Sequence, residues 1–425
     1  MIVMAAADTL NIEEPLVDDA SIFSQQFFPF NPITGTEYNQ AGIIQINIEN
    51  QAEYFLPHKS WLQIDGDMLR DNDQRYVAAN DISLTNNGIL YCFSNIKYQL
   101  GGNEIESVNY PGQATTMMGL LKYENSYPGL GQCWTPDSNN AIDDNTGFAK
   151  RKGFFLSSNP TGAFSFAIDL QHIFGFAEDY QKVVYGLRHS LQFNRNASNN
   201  DALYKAPAIP AGKIVIRRIT WWVPTVIPSP VESYRLGKLL EGKVTIPAGF
   251  RNRQCAMVNL PLAPSYTWNL GVRTERPRFV IIGLQTNKSD NQVQNAALFD
   301  HVNVRRMRVL LNSTEYPAVD VLSDFTRNEF SGYYKMMADF KEAFYGVDRT
   351  VSSGGIDADK FKSLYPLFVL DVSKQVEKFQ SSIVDVSVKM DFAANVAANT
   401  IAYALIISDR KLTFECTGKK INVVF

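Results

Sequence analysis

Apolar and polar residues alternate along much of the chain with a period of two. Ile44, Ile46 and Ile48 alternate with polar neighbours, and the run KIVIRRITWWV at 213–223 is rich in β-branched and aromatic residues. A period of two places every second side chain on one face of an extended strand, so these runs predict β-strands. Similar short runs, separated by turn residues, recur along nearly the whole chain, which is typical of all-β sandwiches and barrels.

Helical patterns are few. Pro111 opens an apolar stretch that ends near Leu121 and predicts a short helix, because proline suits the first helical turn. Aromatic residues at a spacing near 3.6 predict one longer helix over 324–344. Gly101 and Gly102 separate two strand-like runs and predict a hairpin, because glycine accepts the positive φ of tight turns.

Polar and proline-rich segments divide the chain. The stretches 132–146 and 194–201 are rich in Asn and Asp and predict exposed loops, and the acidic residues 1–24 predict an arm that is free or is ordered by a partner. Three prolines fall within 224–230 and predict the end of the first sheet system, because proline donates no ladder hydrogen bond. The predicted divisions are an arm (1–24), a first barrel (25–223), a linker (224–240) and a second barrel (241–425).

The second half of the chain echoes the first. The pattern at 166–170 returns at 368–372, that at 187–193 returns at 386–392, and both Tyr110-Pro111 and Tyr316-Pro317 follow a predicted hairpin. The matched stretches are about 200 residues apart, which indicates an internal duplication. Two copies of this length fit two tandem eight-stranded jelly-roll barrels, with a few short helices in the loops between strands.

Composition and charge narrow the function. The 425 residues are 45% hydrophobic and 20% charged, and the net charge is −3. This balance favours a globular protein and argues against a basic face for gripping nucleic acid, so no sequence-specific nucleic-acid binding is expected. Because no apolar run approaches 18 residues, no membrane-spanning helix is expected either.

Side chains that could carry chemistry are scattered. The four cysteines form no CxxC pair and, with four histidines, offer no zinc-site spacing, so reduced thiols and no metal or cofactor are expected. Asp65 and Asp67 could act as paired acids, but solvation at a strand end explains them more simply. His172 and His189 flank an apolar segment and are expected in the core or at an interface rather than as ligands. The sequence therefore predicts a protein that is not an enzyme.

Three stretches carry a family resemblance. They are FSNIKYQLGGNEIESVNYPGQA (93–114), IFGFAEDYQKVVYGLRHSLQFNRNASNNDALYK (173–205) and KIVIRRITWWVPTV (213–226). They resemble the double jelly-roll major capsid proteins of Polinton/Maverick-type elements, virophages and adintoviruses, a group that also includes adenovirus hexon. The order of elements is similar along nearly the full chain, although no catalytic-style motif defines the family.

The resemblance implies a structural role in a virion. It implies a homotrimer with a pseudo-hexagonal outline, because three chains with two upright barrels each make six barrels. Such capsomers would tile an icosahedral shell around a double-stranded DNA genome, beside neighbouring capsomers and penton and minor capsid proteins. The loops 132–146 and 194–201 would then crown the outer face. A host-genome copy that no longer makes particles would carry the same sequence features.

Aromatic side chains are the candidate subunit contacts. We expect Trp221, Trp222, Tyr333 and Tyr334 to lie near the trimer interface, because aromatic residues are enriched at interfaces. One of the two tryptophans should pack in the core and the other at a contact between barrels or subunits. The alternative function is a carbohydrate-binding tandem β-sandwich, such as a spike or a lectin-like protein, in which these rings would stack on sugars.

Overall fold

The computed structural model describes residues 21–33, 38–124, 127, 129–242, 244–272, 276–312, 314–347, 355–375, 383–417 and 420–424. Strands dominate these residues, and the helices are short. The strands are β1 (Ile22–Phe30), β2 (Gly42–Ile48), β3 (Tyr54–Phe55), β4 (Trp61–Arg70), β5 (Ile82–Leu84), β6 (Phe93–Leu100), β7 (Asn103–Asn109), β8 (Ala163–Asp169), β9 (Val184–Tyr185), β10 (His189–Arg195), β11 (Leu203–Lys205), β12 (Gly212–Pro228), β13 (Val244–Asn259), β14 (Ser265–Asn269), β15 (Pro277–Thr286), β16 (Val304–Leu311), β17 (Thr314–Tyr316), β18 (Phe368–Asp371), β19 (Val386–Phe392), β20 (Thr400–Thr417) and β21 (Lys420–Val424). The helices are α1 (Pro111–Lys122), α2 (Thr146–Leu156), α3 (Leu170–Ile173), α4 (Gly175–Asp179), α5 (Pro230–Glu241), α6 (Ser331–Ala338), α7 (Phe340–Tyr345) and α8 (Ala358–Ser363).

The first half of the chain forms two facing four-stranded sheets. One has the order β1-β12-β4-β8, extended by β3 and β9, and the other has the order β2-β10-β6-β7. All of these pairings are antiparallel. The predicted alternation at 44–48 is confirmed in β2, where Ile44, Ile46 and Ile48 are buried and their neighbours are more exposed. This is the topology of an eight-stranded jelly roll.

The second half repeats this topology strand by strand. Its sheets have the orders β13-β20-β15-β18 and β14-β19-β16-β17, so the two barrels match position for position. The duplicated stretches fall on corresponding strands, β8 with β18 and β10 with β19. The predicted all-β fold of two tandem eight-stranded jelly rolls with short helices in the loops is therefore confirmed.

The helices follow local sequence signals where these are strong. α1 begins at Pro111, as predicted, and α5 begins after Ser229, whose hydroxyl accepts a hydrogen bond from the Glu232 backbone N–H. The predicted single helix over 324–344 is wrong in its extent. A 3-10 turn at Phe325–Arg327 ends at Asn328, whose φ of 60° is left-handed, and α6 and α7 then follow separately. A left-handed residue cannot continue a right-handed helix, which explains the break.

The first sheet ends within the predicted proline segment 224–230, but at Pro228 rather than at residue 223. β12 continues to Pro228 and pairs with β1 along this stretch. Pro224 lies between the end of the β4 pairing at Trp222 and the start of the β3 pairing at Thr225. Its carbonyl accepts a hydrogen bond from the Leu56 N–H, and its missing donor interrupts no ladder. The domain boundaries proposed from the sequence stay a proposal, with α5 as the link between barrels.

The acidic arm was predicted over 1–24. Residues 1–20 lie outside the described residues, whereas Ile22 to Ser24 already belong to β1, with a register shift between them. In the described part of the chain, β1 pairs only with β12 and is therefore an edge strand. Its sequence IFSQQFFPF contains no charged residue, and Phe23, Phe27 and Phe28 are exposed.

Candidate functional site: the barrel junction and the exposed clefts

The two barrels meet along β13, and charged side chains line this contact. The first barrel contributes Glu106 from β7 and Glu178 and Asp179 from α4. The second barrel contributes Arg251 and Arg253, two residues apart on β13. These five residues are called the junction cluster. Because the acids and the bases come from different barrels, their attraction fastens one barrel to the other.

Glu106 is fully enclosed at the centre of the junction. Its carboxylate accepts hydrogen bonds from the backbone N–H groups of Gly175 (3.0 Å), Phe176 (2.9 Å) and Arg253 (2.8 Å). Burial raises the pKa of Glu106 to about 7, against the opposing effect of the Arg253 charge and of these backbone donors. One side chain of the first barrel thus satisfies backbone donors of both barrels, which buried polar groups require.

Arg253 and Glu178 form the most deeply buried charge pair of the junction. The Arg253 guanidinium contacts the Glu178 carboxylate and also donates to the His172 carbonyl at 2.9 Å. Glu178 accepts further hydrogen bonds from Lys122 Nζ at 2.6 Å and from the Tyr345 hydroxyl at 3.2 Å. Burial alone raises the pKa of Glu178, but Arg253 and Lys122 outweigh it and lower the pKa to about 2. Glu178 is therefore an anion held between two cations.

Arg251 connects α4 with the second barrel's own helices. Its backbone N–H and its Nε both donate to Asp179 Oδ2, at 2.8 and 2.9 Å. Its guanidinium donates to the Phe344 carbonyl at 2.7 Å and lies 3.8 Å from the centre of the Phe344 ring, a cation–π geometry. The planar fork of arginine makes these contacts possible at once, which an ammonium group would not allow.

A second polar bridge crosses the barrels at Asp137. Its carboxylate accepts hydrogen bonds from Arg151 at 2.6 Å and, across the junction, from Asn295 at 2.9 Å. Its backbone carbonyl accepts one from the Tyr365 hydroxyl at 2.9 Å. The prediction of an exposed loop over 132–146 is therefore wrong for its first part, where Trp134 and Asp137 are buried, while 138–141 are exposed. Asp137 contacts Asn295 and Tyr365 of the distant second barrel, and Trp134 packs against Tyr123 and His172 of the first barrel. Neither set of partners is visible to a local polar pattern.

Gln292 adds a third connection between the barrels. Its side-chain amide donates to the Gly212 carbonyl at 2.6 Å, and its side-chain oxygen accepts from the Gly212 N–H at 2.9 Å. The side chain of Gln292, from the second barrel, thus forms with the backbone of Gly212, the first residue of β12, the pair of hydrogen bonds that a neighbouring strand would form. Loop 194–201 is joined to the same segment, because Asn200 donates to Asp290 at 2.7 Å.

The histidines and cysteines behave as core residues. His172 and His189 are buried, as predicted, and burial lowers the pKa of each to about 3. All four cysteines are free and buried. Among the described residues, no group of three His, Cys, Asp or Glu side chains could hold a metal ion. No helix in that part of the chain is long and apolar enough to cross a membrane.

Asp65 and Asp67 lie in the middle of β4 rather than at a strand end, which corrects the simpler interpretation. Asp65 accepts hydrogen bonds from Ser165 at 2.6 Å and from Arg218 Nε at 2.7 Å. Burial raises its pKa, but these bonds outweigh burial and lower it. Asp67 pairs with Arg75 and Arg217 at 3.1 and 2.8 Å. Both acids are thus occupied by cross-strand partners.

The four predicted interface residues divide into two pairs. Trp221 and Tyr333 are completely buried within the chain. Because they expose no surface, they cannot contact a second chain directly. Trp222 is half-buried on the outer face of β12 and stacks on Trp61, with ring centres 5.5 Å apart. Tyr334 is half-buried against Phe361. A subunit contact at Trp222 and Tyr334 stays a prediction.

Two of the open clefts outside the junction bear on function. One, of about 650 Å³, lies between the first barrel's helical loop and the second barrel, and its walls include the stacked rings of Tyr123 and Tyr127. The other, of about 400 Å³, lies on the second barrel where the end of β17 meets α6, α7 and β18. We call it the β17 cleft, and its apolar walls include Pro317, Met336 and Phe340.

Sequence reasoning missed the junction cluster. The acids and arginines of this cluster are between 72 and 147 positions apart along the chain, so no local pattern joins them. A partial signal exists, since Glu106 occupies a strand between buried Ile105 and Val108, and Arg251 and Arg253 share one face of β13. The duplication supplies no further signal, because the corresponding strand β1 carries no charge.

The arrangement of the two barrels is similar to that of known proteins. The family model described as the double jelly roll-like domain matches residues 82–412. No curated protein matches the chain by sequence. Among solved structures, a chain of the Sputnik virophage structure is similar with a TM-score of 0.64 and 11% identity, over 100% of this chain and 93% of that one.

Two further structures share the fold. The mavirus major capsid protein has a TM-score of 0.54 and 11% identity, over 100% of this chain and 95% of its own. The Faustovirus major capsid protein has a TM-score of 0.55 and 9% identity, over 97% of this chain and 94% of its own. In each case the similarity extends over both barrels and their connection.

Proposed function

The chain belongs to the double jelly roll-like domain family, and on this premise we propose that it is the major capsid protein of a virus and a structural component of the virion rather than an enzyme. The observation that carries the proposal is the similarity in fold to capsid proteins across both barrels and the link between them. Among the described residues, Glu178 and Asp179 of the junction and Asp65 and Asp67 of β4 are paired with basic side chains, which supports a structural role. Glu106 is occupied by backbone donors instead.

The functional unit is a homotrimer. Each chain contributes two barrels, so three chains together supply six. Six barrels form a pseudo-hexameric capsomer that can tile an icosahedral shell around double-stranded DNA. The fastened junction supports this unit, because a capsomer needs a fixed angle between its barrels. Neighbouring capsomers and penton and minor capsid proteins are its partners. The near-balance of 40 basic and 43 acidic residues supports a shell that does not grip DNA through a basic face.

The proposal is tested by the mass of the purified full chain in solution. Light scattering should give three times the chain mass of 47.7 kDa, about 143 kDa, and negative-stain images of the same fraction should show a hexagonal outline or closed shells. Closed-point-group homo-oligomers form without an added ligand, so none is needed here. A monomer that persists at high protein concentration would overturn the proposal.

One observation favours a second candidate, a carbohydrate-binding protein. In the 650 Å³ cleft, Tyr127 and Phe154 each expose 36% of their surface near polar loop residues. Aromatic faces beside hydrogen-bonding groups suit sugar rings, and the cleft has the volume of a small-ligand site. A glycan array on the full chain tests this candidate, and Phe154→Ala should reduce any signal that comes from the cleft.

A further inference from the structure

The two barrels can be aligned residue by residue through their shared ladders. In the first barrel, Ile64 of β4 lies opposite Phe166 of β8 and Ile219 of β12. In the second barrel, Ile282 of β15 lies opposite Phe368 and Ala404. Because Phe166 and Phe368 begin the same duplicated pattern, Ile219 corresponds to Ala404.

Following the ladders outward identifies the counterparts of the junction arginines. Pro224 is five residues after Ile219 and lies opposite Phe27 of β1. Asp409 is five residues after Ala404 and lies opposite Arg251 of β13. Phe27 is therefore the counterpart of Arg251. In the same way, the counterpart of Arg253 is Pro29, which lies opposite Trp222. The strand that carries the junction arginines in the second barrel is therefore an apolar, exposed strand in the first.

The receiving side of the junction also has a counterpart. In the first barrel, β13 docks against β7, α1 and α4, the second of the two short helices that follow β8. The corresponding elements of the second barrel are β17, the helices α6 and α7, and the chain after β18. These elements surround the β17 cleft, whose walls include Pro317 and Ala318, Met336, Phe340 and Ala343, and Gln375 after β18. The surface filled by β13 in the first barrel is thus an open cleft in the second.

We propose that β1 of one copy docks its Phe27–Pro29 face into the β17 cleft of the next copy, repeating between chains the contact that β13 makes within the chain. The inference rests on the proposed capsomer, because a closed ring of six barrels requires each barrel to present the same two sides to its neighbours. The geometry also assigns opposite chemistry to the two contacts. The contact within the chain joins acids to arginines. The contact between chains is mainly apolar, with Asp339 and Asp371 as the charged groups of the cleft.

The character of β1 supports this occupant. A nine-residue edge strand with no charge and three exposed phenylalanines would invite uncontrolled pairing if it stayed open. Trp222 and its stacking partner Trp61 lie on the same face as Phe27 and Pro29, so this face is a continuous apolar surface. Such a surface, rimmed by polar residues, is typical of a protein–protein contact.

The experiment compares two glutamate substitutions in the full chain. Phe27→Glu places a charge on the proposed contact, whereas Phe154→Glu makes the same change at a ring of comparable exposure in the other cleft. Both residues are exposed, and circular dichroism verifies that each variant is folded. We expect Phe27→Glu to lower the mass by light scattering from trimer to monomer and Phe154→Glu to leave the trimer intact.

A cross-link tests the same contact without disturbing it. A chain with Phe27→Cys and Ala343→Cys is treated with a short bis-maleimide, and the four native cysteines are buried. We expect bands of two and three linked chains on a denaturing gel, which neither single variant should give. If the unsubstituted chain is a trimer but Phe27→Glu remains a trimer and no linked bands form, the docking proposal is wrong and the capsid proposal stands. A monomeric unsubstituted chain overturns both.

Discussion

Arg253 is the residue on which the junction depends most strongly. It is buried, pairs with Glu178 and donates to the His172 carbonyl. Removing one partner of a buried ion pair leaves an uncompensated charge and costs about 3–5 kcal/mol of unfolding free energy. We predict a loss of this order for Arg253→Met, measured by chemical unfolding of the full chain.

The control for this prediction is an exposed pair. Arg235 on α5 contacts Glu232 at the surface, and Arg235→Met should leave the unfolding midpoint unchanged. An Arg253→Met chain as stable as the parent would show that the pair adds nothing to the fold.

The buried histidines predict an acid-sensitive fold. The unfolded chain takes up a proton at His172 and at His189 near the ordinary pKa of about 6.5, whereas burial lowers the pKa of each folded side chain to about 3. The unfolded state therefore binds more protons below pH 6.5, and stability falls as the pH falls, by about 1.4 kcal/mol per pH unit for each histidine. Glu106 has the opposite effect, because burial raises its pKa to about 7 and its folded form keeps a proton that the unfolded chain releases.

These effects should give a measurable difference in the free energy of unfolding between pH 6 and pH 5. The effects of two histidines are opposed by that of one glutamate, so the parent should lose stability as the pH falls across this window. The net slope of its unfolding free energy against pH should be close to the contribution of a single histidine. His189→Gln removes one of the two, so its unfolding free energy should be nearly independent of pH there. The slope is the readout, since the substitution also changes packing against Tyr98 and Phe55. Equal slopes in the two chains would contradict the assignment.

At the scale of elements, α1 depends on a close approach to an aromatic ring. A Cβ at Gly119 would overlap the Trp134 ring, and Trp134 is buried. Gly119→Ala should therefore destabilise the protein by about 1–3 kcal/mol through overpacking.

Gly153 is the matched control, because it lies in α2 with nothing within 4 Å of an added Cβ. Gly153→Ala should raise stability by about 0.5–1 kcal/mol, since alanine is the better helix former. Thermal melting distinguishes the two, and a shift in the same direction for both would refute the packing argument.

Elements with a local cause could be predicted from the sequence. The alternation at 44–48 gives β2, and proline at the first helical position gives α1. Elements whose limits depend on distant partners could not. The left-handed Asn328 interrupts the predicted helix, and β12 passes through Pro224 because β1 supplies a ladder there. Asp137 is buried by Asn295 and Tyr365, which lie in the other barrel. The junction cluster could not be predicted for the same reason, because its acids and its arginines belong to different barrels and are far apart in the sequence.

At the scale of the whole molecule, the connections between barrels make the chain a single mechanical unit. The junction cluster, the Asp137 bridge and the Gln292 contact join the barrels at separate places. Two domains fastened by several buried polar contacts should not open independently, because each opened contact would leave charged groups without partners. We therefore expect the barrels to unfold together.

The tryptophans allow this cooperativity to be measured. Trp61, Trp134, Trp221 and Trp222 belong to the first barrel, and the fifth tryptophan of the chain, Trp268, belongs to the second. In a Trp268→Phe chain, fluorescence reports the first barrel alone, while far-ultraviolet circular dichroism reports both. The two unfolding curves should coincide, as a two-state transition requires. Separate curves in the Trp268→Phe chain itself would mean that the barrels are independent and that the angle between them is set only by assembly.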